Sequence, residues 1–173
     1  MPKLNRNRIF LTGFMGAGKS TIGPILASRL QFSFKDSDQE VQRLSGMSVT
    51  EIFSREGEKK FREWESRAVE NLIQESNCVV ALGGGSILDS KNRERIFSSG
   101  TVIYLKTSPR ALSERLALSD RPLLKEGKGT LLERITKRLF EREPYYSKAH
   151  LQFETDKNSP EEIVEFIMMV LKS

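Results

Sequence analysis

Short apolar runs alternate along the chain with longer stretches whose apolar positions recur every three to four residues. Ile9-Phe10-Leu11, Phe32 to Lys35, Val79 to Leu82, Thr101 to Leu105 and His150 to Phe153 read as strands. The first lies between a basic stretch and a glycine loop, and the third closes on Gly83-Gly84-Gly85. Lys19 to Leu30 carries Ile22, Ile25, Leu26 and Leu30 at helical spacing. Pro24 is placed in the first turns of that helix, where a missing backbone N–H is tolerated. Gln39 to Glu75 is charged and helical in pattern, with breaks at Gly46 and Gly57 and a capping-box spacing at Ser48 and Glu51. Asp89 to Phe97, closed by Gly100, and Pro109 to Leu118 are the next helices. Leu131 to Tyr146, limited by Pro144, and Pro160 to Leu171 complete the set. Ser119 to Gly129 has no period, contains Pro122, Gly127 and Gly129, and predicts a mobile loop.

Strands alternating with helices predict an α/β fold with a mostly parallel sheet. Ligands in such sheets bind beyond the carboxyl ends of the strands. Every loop of interest here, the mobile one excepted, follows a strand.

Composition narrows the function classes. The 173 residues amount to one domain, 29% of them charged. No apolar run approaches the ~20 residues that span a bilayer. Met1 to Arg8 is basic and is followed by too few apolar residues for a signal peptide, so a cytoplasmic protein is expected. Cys78 is the sole cysteine and reads as a small buried hydrophobe. His150 is the sole histidine and has no partners at zinc-ligand spacing. The net charge of +5 is not gathered into one run and is not interleaved with aromatics. That favours small anionic ligands over nucleic acid, and no membrane association is expected.

Gly13-Phe14-Met15-Gly16-Ala17-Gly18-Lys19-Ser20 fits the phosphate-loop pattern G-x-x-x-x-G-K-[ST] in full, between a strand and a helix. Glycines let backbone N–H groups turn toward phosphate oxygens, and the helix N-terminus adds partial positive charge. Gly16, Ala17, Gly18, Lys19, Ser20 and Thr21 are therefore nucleotide-binding candidates. Lys19 is suited to the β- and γ-phosphates and the Ser20 hydroxyl to Mg2+. The motif alone specifies nucleotide binding, since GTPases and motor ATPases share it.

Many phosphate-loop proteins hold magnesium with an aspartate that ends a later strand. The third strand here ends in glycine, whereas Asp36 and Asp38 end the second. Two residues apart on an extended chain, they share a face. One is suited to the metal and the other to an acceptor hydroxyl. Three consecutive glycines after a buried strand point to a close approach of backbone to ligand.

Taken in order, these features resemble the shikimate kinase family. They are the phosphate loop, Asp36-Ser37-Asp38, Phe61-Arg62-x-x-Glu65, Gly83-Gly84-Gly85, Arg121-Pro122-Leu123-Leu124 and Arg142-x-Pro144-x-Tyr146. The resemblance covers essentially the whole chain. It implies a three-layer αβα fold of the P-loop kinase type, with a central parallel five-stranded sheet. It further implies one domain over 1–173, substrate-binding helices at 37–76 and a lid at 119–130. The implied activity is phosphoryl transfer from ATP, with Mg2+, to shikimate by a monomer. Asp36 resembles the carboxylate that serves magnesium, and Asp38 the residue that meets the shikimate hydroxyls and acts as base. Arg62 and Arg142 resemble the pair that grips the shikimate carboxylate, and Glu65 an acid that orients such groups. Gly83, Gly84 and Gly85 resemble the loop whose backbone meets the substrate. Arg121 resembles the lid arginine that reaches the phosphates. The family's adenine sandwich falls on Arg115, with Arg110 as a second candidate, and Pro160. Lys19, Asp38 and Arg121 are thus the expected catalytic residues.

Overall fold

A computed structural model of the chain describes residues 7–117 and 129–172. Five strands run parallel in one sheet: β1 (Arg8–Thr12), β2 (Ser33–Asp36), β3 (Cys78–Ala81), β4 (Thr101–Lys106) and β5 (Leu151–Glu154), ordered β2-β3-β1-β4-β5. The described helices are α1 (Lys19–Leu30), α2 (Ser37–Ser45), α3 (Val49–Arg55), α4 (Gly57–Leu72), α5 (Ser90–Ser99), α6 (Pro109–Leu116), α7 (Leu131–Tyr146) and α8 (Pro160–Lys172). The result is a three-layer αβα fold. Helix α1 packs on α8, and α6 on α7. The central strands are buried on both faces, so β3 and most of β4 are continuously apolar rather than alternating. The edge strand β5 alternates between half-buried and exposed positions. Residues Ile9, Phe10, Leu11, Val79, Val80, Val102 and Ile103 form the floor of the main core.

Strand order places the carboxyl ends of β1, β2 and β3 side by side. Ser33 to Asp36 is in register with Cys78 to Ala81, which is in register with Arg8 to Leu11. The phosphate loop, the Asp36–Asp38 segment and the glycine triplet therefore emerge at one edge. Helices α2, α3 and α4 pack together beside it over a smaller core of Val41, Ile52, Phe61 and Ala68.

Local chemistry moves several boundaries. Strand β2 begins one residue later than expected, because Gln31 takes a left-handed C-cap conformation (φ 59°) and Phe32 closes the helix end. Helix α2 begins at Ser37 rather than Gln39, because the Asp36 side chain caps it. His150 lies just before β5, where its Nδ1 accepts the Val102 N–H at 2.9 Å. Pro24 is not in the first turn of α1: it sits six residues in, where it removes the N–H that would pair with the Ser20 carbonyl. Helix α7 has the expected bounds, Leu131–Tyr146, with Pro144 inside its last turn. Thr130 belongs to the start of α7, in a capping box with Glu133. Residues 119–128 of the expected lid lie outside the described residues.

Gly100, the C-cap of α5, shows how tightly the amino end of the sheet is filled. A β-carbon there would stand 2.6 Å from the Arg8 carbonyl oxygen and 2.7 Å from the Phe10 ring. Backbone cannot yield as a side-chain tip does. Gly100→Ala is expected to destabilise the fold by about 1–3 kcal/mol, read from urea unfolding midpoints. An unchanged midpoint would contradict this packing.

Candidate active site

The phosphate loop owes its shape to its glycines. Gly16 (φ 81°) and Gly18 (φ 98°) occupy left-handed backbone, which other residues adopt only with strain. Gly18 is the N-cap of α1 and has no capping side chain, so the helix opens with backbone N–H groups facing the loop. Lys19 Nζ donates to the carbonyls of Gly13 (2.7 Å) and Phe14 (2.9 Å). The ammonium is thereby curled over the cradle that a triphosphate requires. A cavity of about 390 Å³ lies over Gly16, Gly18, Lys19, Ser20 and Thr21, and reaches Asp36, Asp38 and Gly84.

Asp36 and Asp38 reach the site by a route different from the extended spacing expected of them. Asp36 ends β2, and its Oδ1 accepts the N–H groups of Asp38 (2.8 Å) and Gln39 (3.4 Å) as the cap of α2. Asp38 lies in the first turn of that helix. A strand-to-helix corner, rather than one face of a strand, brings both carboxylates over the cavity. The second oxygen of Asp36, Oδ2, accepts from Ser20 Oγ at 3.3 Å.

This pair fits magnesium. A hydroxyl and a carboxylate oxygen, both hard donors, converge beside the phosphate cradle. Among the described residues no group of three or more His, Cys, Asp or Glu side chains forms a metal cage. Mg2+ is usually held by one or two protein oxygens together with phosphates and water, and needs no such cage.

A second cavity, of about 290 Å³, adjoins the first. Its walls come from α2, α3, α4, α7 and the glycine triplet. Arg62 and Arg142 both line it, with Asp38 at the boundary shared by the two cavities. Arg62 Nη1 donates to Glu65 Oε2 at 2.8 Å, and Nη2 donates to Glu58 Oε1 at 3.2 Å. Helical spacing on α4 makes both contacts possible. Glu65 is 2% exposed, and its other oxygen accepts from Ser86 Oγ at 2.9 Å. Burial pushes its carboxyl above the ordinary carboxylate range, against the pull of Arg62 and Ser86. Arg142 donates from Nη1 to the Gly84 carbonyl at 3.3 Å and stacks its guanidinium over the Phe14 ring at 5.3 Å. Two guanidinium groups around one small cavity are chemically suited to a carboxylate.

The glycine triplet is packed against these groups. The Gly83 N–H donates to the buried Ser37 Oγ at 2.7 Å. A β-carbon at Gly83 would stand 2.9 Å from Asp38 Oδ1, and one at Gly85 2.4 Å from Arg62 Nη1.

Arg115 reaches toward the nucleotide end. Its Nη1 donates to the Gly16 carbonyl at 3.2 Å, and its Nη2 to the Thr155 carbonyl at 3.0 Å. It thus ties the phosphate loop to the segment after β5 that leads to Pro160, the first residue of α8. Arg110 does not join it: its side chain is 87% exposed and pairs with Glu114. Arg121 lies outside the described residues.

Several residues at the site escape sequence reasoning. Val49 and Phe53 supply an apolar wall beside Phe61 of the Phe61-Arg62 segment, and Met15 of the phosphate loop borders both cavities. The Phe53 and Phe61 rings lie 4.7 Å apart. Gln42 and Thr50 add polar atoms. Ser37 and Ser86 act through hydrogen bonds across the fold, for which spacing offers no signal. Gln42 carries a faint one, a helical turn beyond Asp38.

Comparison with known proteins decides the family. The model of the shikimate kinase family matches residues 15–172. The chain belongs to the shikimate kinase family. It is 46% identical over 155 residues to the shikimate kinase of Chlorobium limicola, covering 86% of this chain and 78% of that one. The shikimate kinase of Chlorobaculum tepidum is 48% identical over 155 residues, with 86% and 81% covered. Among solved structures, shikimate kinase from Acinetobacter baumannii in complex with shikimate superposes with a TM-score of 0.90 at 34% identity, covering 96% of this chain and 93% of that one. As a shikimate kinase family member, this chain is an ATP-dependent kinase.

Gly85 offers a test of the site's packing. Gly85→Ala is expected to push Arg62 out of the cavity. Shikimate affinity should then fall by roughly tenfold or more, the worth of one charge-assisted hydrogen bond. ATP affinity should hold, and titration calorimetry with each ligand reads both. Unaltered shikimate affinity would remove Arg62 from the acceptor site.

Proposed function

We propose that the chain transfers the γ-phosphoryl group of ATP to the 3-hydroxyl of shikimate, giving shikimate 3-phosphate and ADP, with the residues in the following roles. The observation that carries this assignment is the sharing of Asp38 and Gly84 between the two cavities. A nucleotide on the phosphate loop and an acid in the arginine-lined cavity would meet at that boundary.

Arg62 and Arg142 hold the acceptor's carboxylate. Glu65, itself held by Ser86, keeps Arg62 in place. The apolar wall of Val49, Phe53 and Phe61 covers the carbon ring. Asp38 accepts the proton of the attacking hydroxyl as its oxygen forms a bond to the γ-phosphorus. The bond from that phosphorus to the β–γ bridging oxygen breaks, and ADP leaves with the electron pair. Little covalent help is needed in such a reaction, so catalysis rests on alignment and charge neutralisation. Lys19, released from the Gly13 and Phe14 carbonyls by the phosphates, supplies positive charge. Arg121 is assigned the same task from its place in Arg121-Pro122-Leu123-Leu124. Ser20 and Asp36 are the residues that would hold Mg2+, which when bound neutralises oxygens of the β- and γ-phosphates. Arg115 and Pro160 are assigned to the two faces of adenine. The connection from Arg115 to Gly16 and Thr155 supports that assignment.

The substrates are small soluble anions, and no described helix is long and apolar enough to cross a membrane. We assign the enzyme to the cytoplasm, as a monomer with no nucleic-acid partner.

Asp38→Asn tests the assignment most sharply. The amide keeps the shape and loses the proton acceptor, so kcat is expected to fall by about 10²–10⁴-fold. Shikimate and ATP binding should persist. A kcat within a few-fold of the parent enzyme would exclude Asp38 as the base.

A further inference from the structure

Tyr146 closes the segment Arg142-x-Pro144-x-Tyr146, and none of the roles above uses it. Its side chain is fully buried, so its hydroxyl must be satisfied within the fold. That hydroxyl donates to the Gly84 carbonyl at 2.5 Å. Arg142, one helical turn earlier on α7, donates to the same oxygen at 3.3 Å. The Tyr146 ring is in turn held by Tyr104: the two stack with centroids 5.2 Å apart and planes 29° apart. The Tyr104 hydroxyl donates to Glu143 Oε2 at 2.6 Å, which anchors the stack back onto α7. Burial holds the Tyr146 hydroxyl above its ordinary range, so it remains a proton donor at neutral pH.

We propose that Tyr146 is a positioning residue for the acceptor: its hydroxyl fixes the plane of the Gly84–Gly85 peptide and, through the carbonyl they share, the placement of Arg142. The inference rests on the assignment of this cavity to shikimate. Three consecutive glycines have no side chains to restrict their own backbone, and the turn bond from the Ser86 N–H to the Gly83 carbonyl leaves the peptide at its centre free to flip, so further contacts set its orientation. A trans peptide is planar. A Gly84 carbonyl drawn toward α7 therefore turns the Gly85 N–H the opposite way. Gly84 and Gly85 both border the cavity. Arg142 uses one amine of its fork on Gly84. The rest of its planar set of donors is directed by that anchor. Tyr146 thus acts on both the backbone and the guanidinium side of the acceptor's receptor, without touching the acceptor.

Tyr146→Phe keeps the ring and its stack on Tyr104 and removes only the hydroxyl. Shikimate and ATP would each be titrated into the parent and Y146F enzymes by calorimetry, alongside kcat, both KM values and the melting temperature. The expected result is a roughly tenfold rise in shikimate Kd and KM, with ATP binding unchanged and the fall in kcat much smaller. A merely structural hydroxyl would lower the melting temperature and leave shikimate affinity as it was, and that result would overturn the proposal. Shikimate that fails to bind the parent enzyme would overturn the acceptor assignment instead. Tyr104→Phe is the second variant. It frees the stack from Glu143 while leaving the Tyr146 hydroxyl, and should raise shikimate Kd in the same direction by a smaller factor. Should Y146F not fold, an unchanged shikimate Kd in Y104F would also overturn the proposal.

Discussion

The close approach of the Gly83-Gly84-Gly85 backbone to charged side chains is the constraint on which the site depends. Asp38, Glu65, Arg62 and Arg142 come from α2, α4 and α7, and each lies against this one stretch of main chain. Charges of both signs can crowd there because no β-carbon separates them and because each has a partner. Glu65 is buried between Arg62 and Ser86, Arg142 is anchored on Gly84, and the Gly83 N–H is held by Ser37. Glu65 is the buried charged residue among them, and removing Arg62 or Ser86 would leave its carboxyl without a partner, which costs more than the contact itself contributes. The network is thus a unit, and it lies between the phosphate-loop cavity and the arginine-lined cavity, with Asp38 lining both.

The parallel sheet supplies the frame. With β1 between β3 and β4, and β2 beyond β3, the loops after β1, β2 and β3 leave the sheet at neighbouring points. Helices α2 to α4 then add a wall with a small core of its own, and Val69 and Leu72 tie α4 into the main core as well. From the other side of the site, α7 carries Arg142 and Tyr146 to the glycine triplet. The stacked pair of Tyr104 and Tyr146 joins that helix to β4.

What could be read from the sequence follows from how local each feature is. The phosphate loop is legible because one strand, one turn and one helix N-terminus contain all of it. The Arg62–Glu65 pair is legible from helical spacing, although that spacing alone does not distinguish a solvated pair from a buried one. The structure holds both kinds on a single arginine: Glu65 is buried, while Glu58 is exposed. The geometry of Asp36 and Asp38 was not legible. The capping oxygen of Asp36 starts α2 two residues early, so a corner replaces the extended segment. Pro24 and Pro144 sit inside helices because tertiary packing overrides the local loss of one backbone hydrogen bond. Ser37, Ser86 and Tyr146 find partners that are 46, 21 and 62 residues away in sequence, and no local pattern encodes such contacts.

The most direct measurement is ADP release from Mg-ATP with shikimate, gluconate, a nucleoside monophosphate or no acceptor. Strong release is expected with shikimate alone. Release with a different acceptor would keep the kinase and overturn the roles of Arg62 and Arg142. No release with any acceptor, in protein shown to bind ATP, would contradict phosphoryl transfer by this chain altogether.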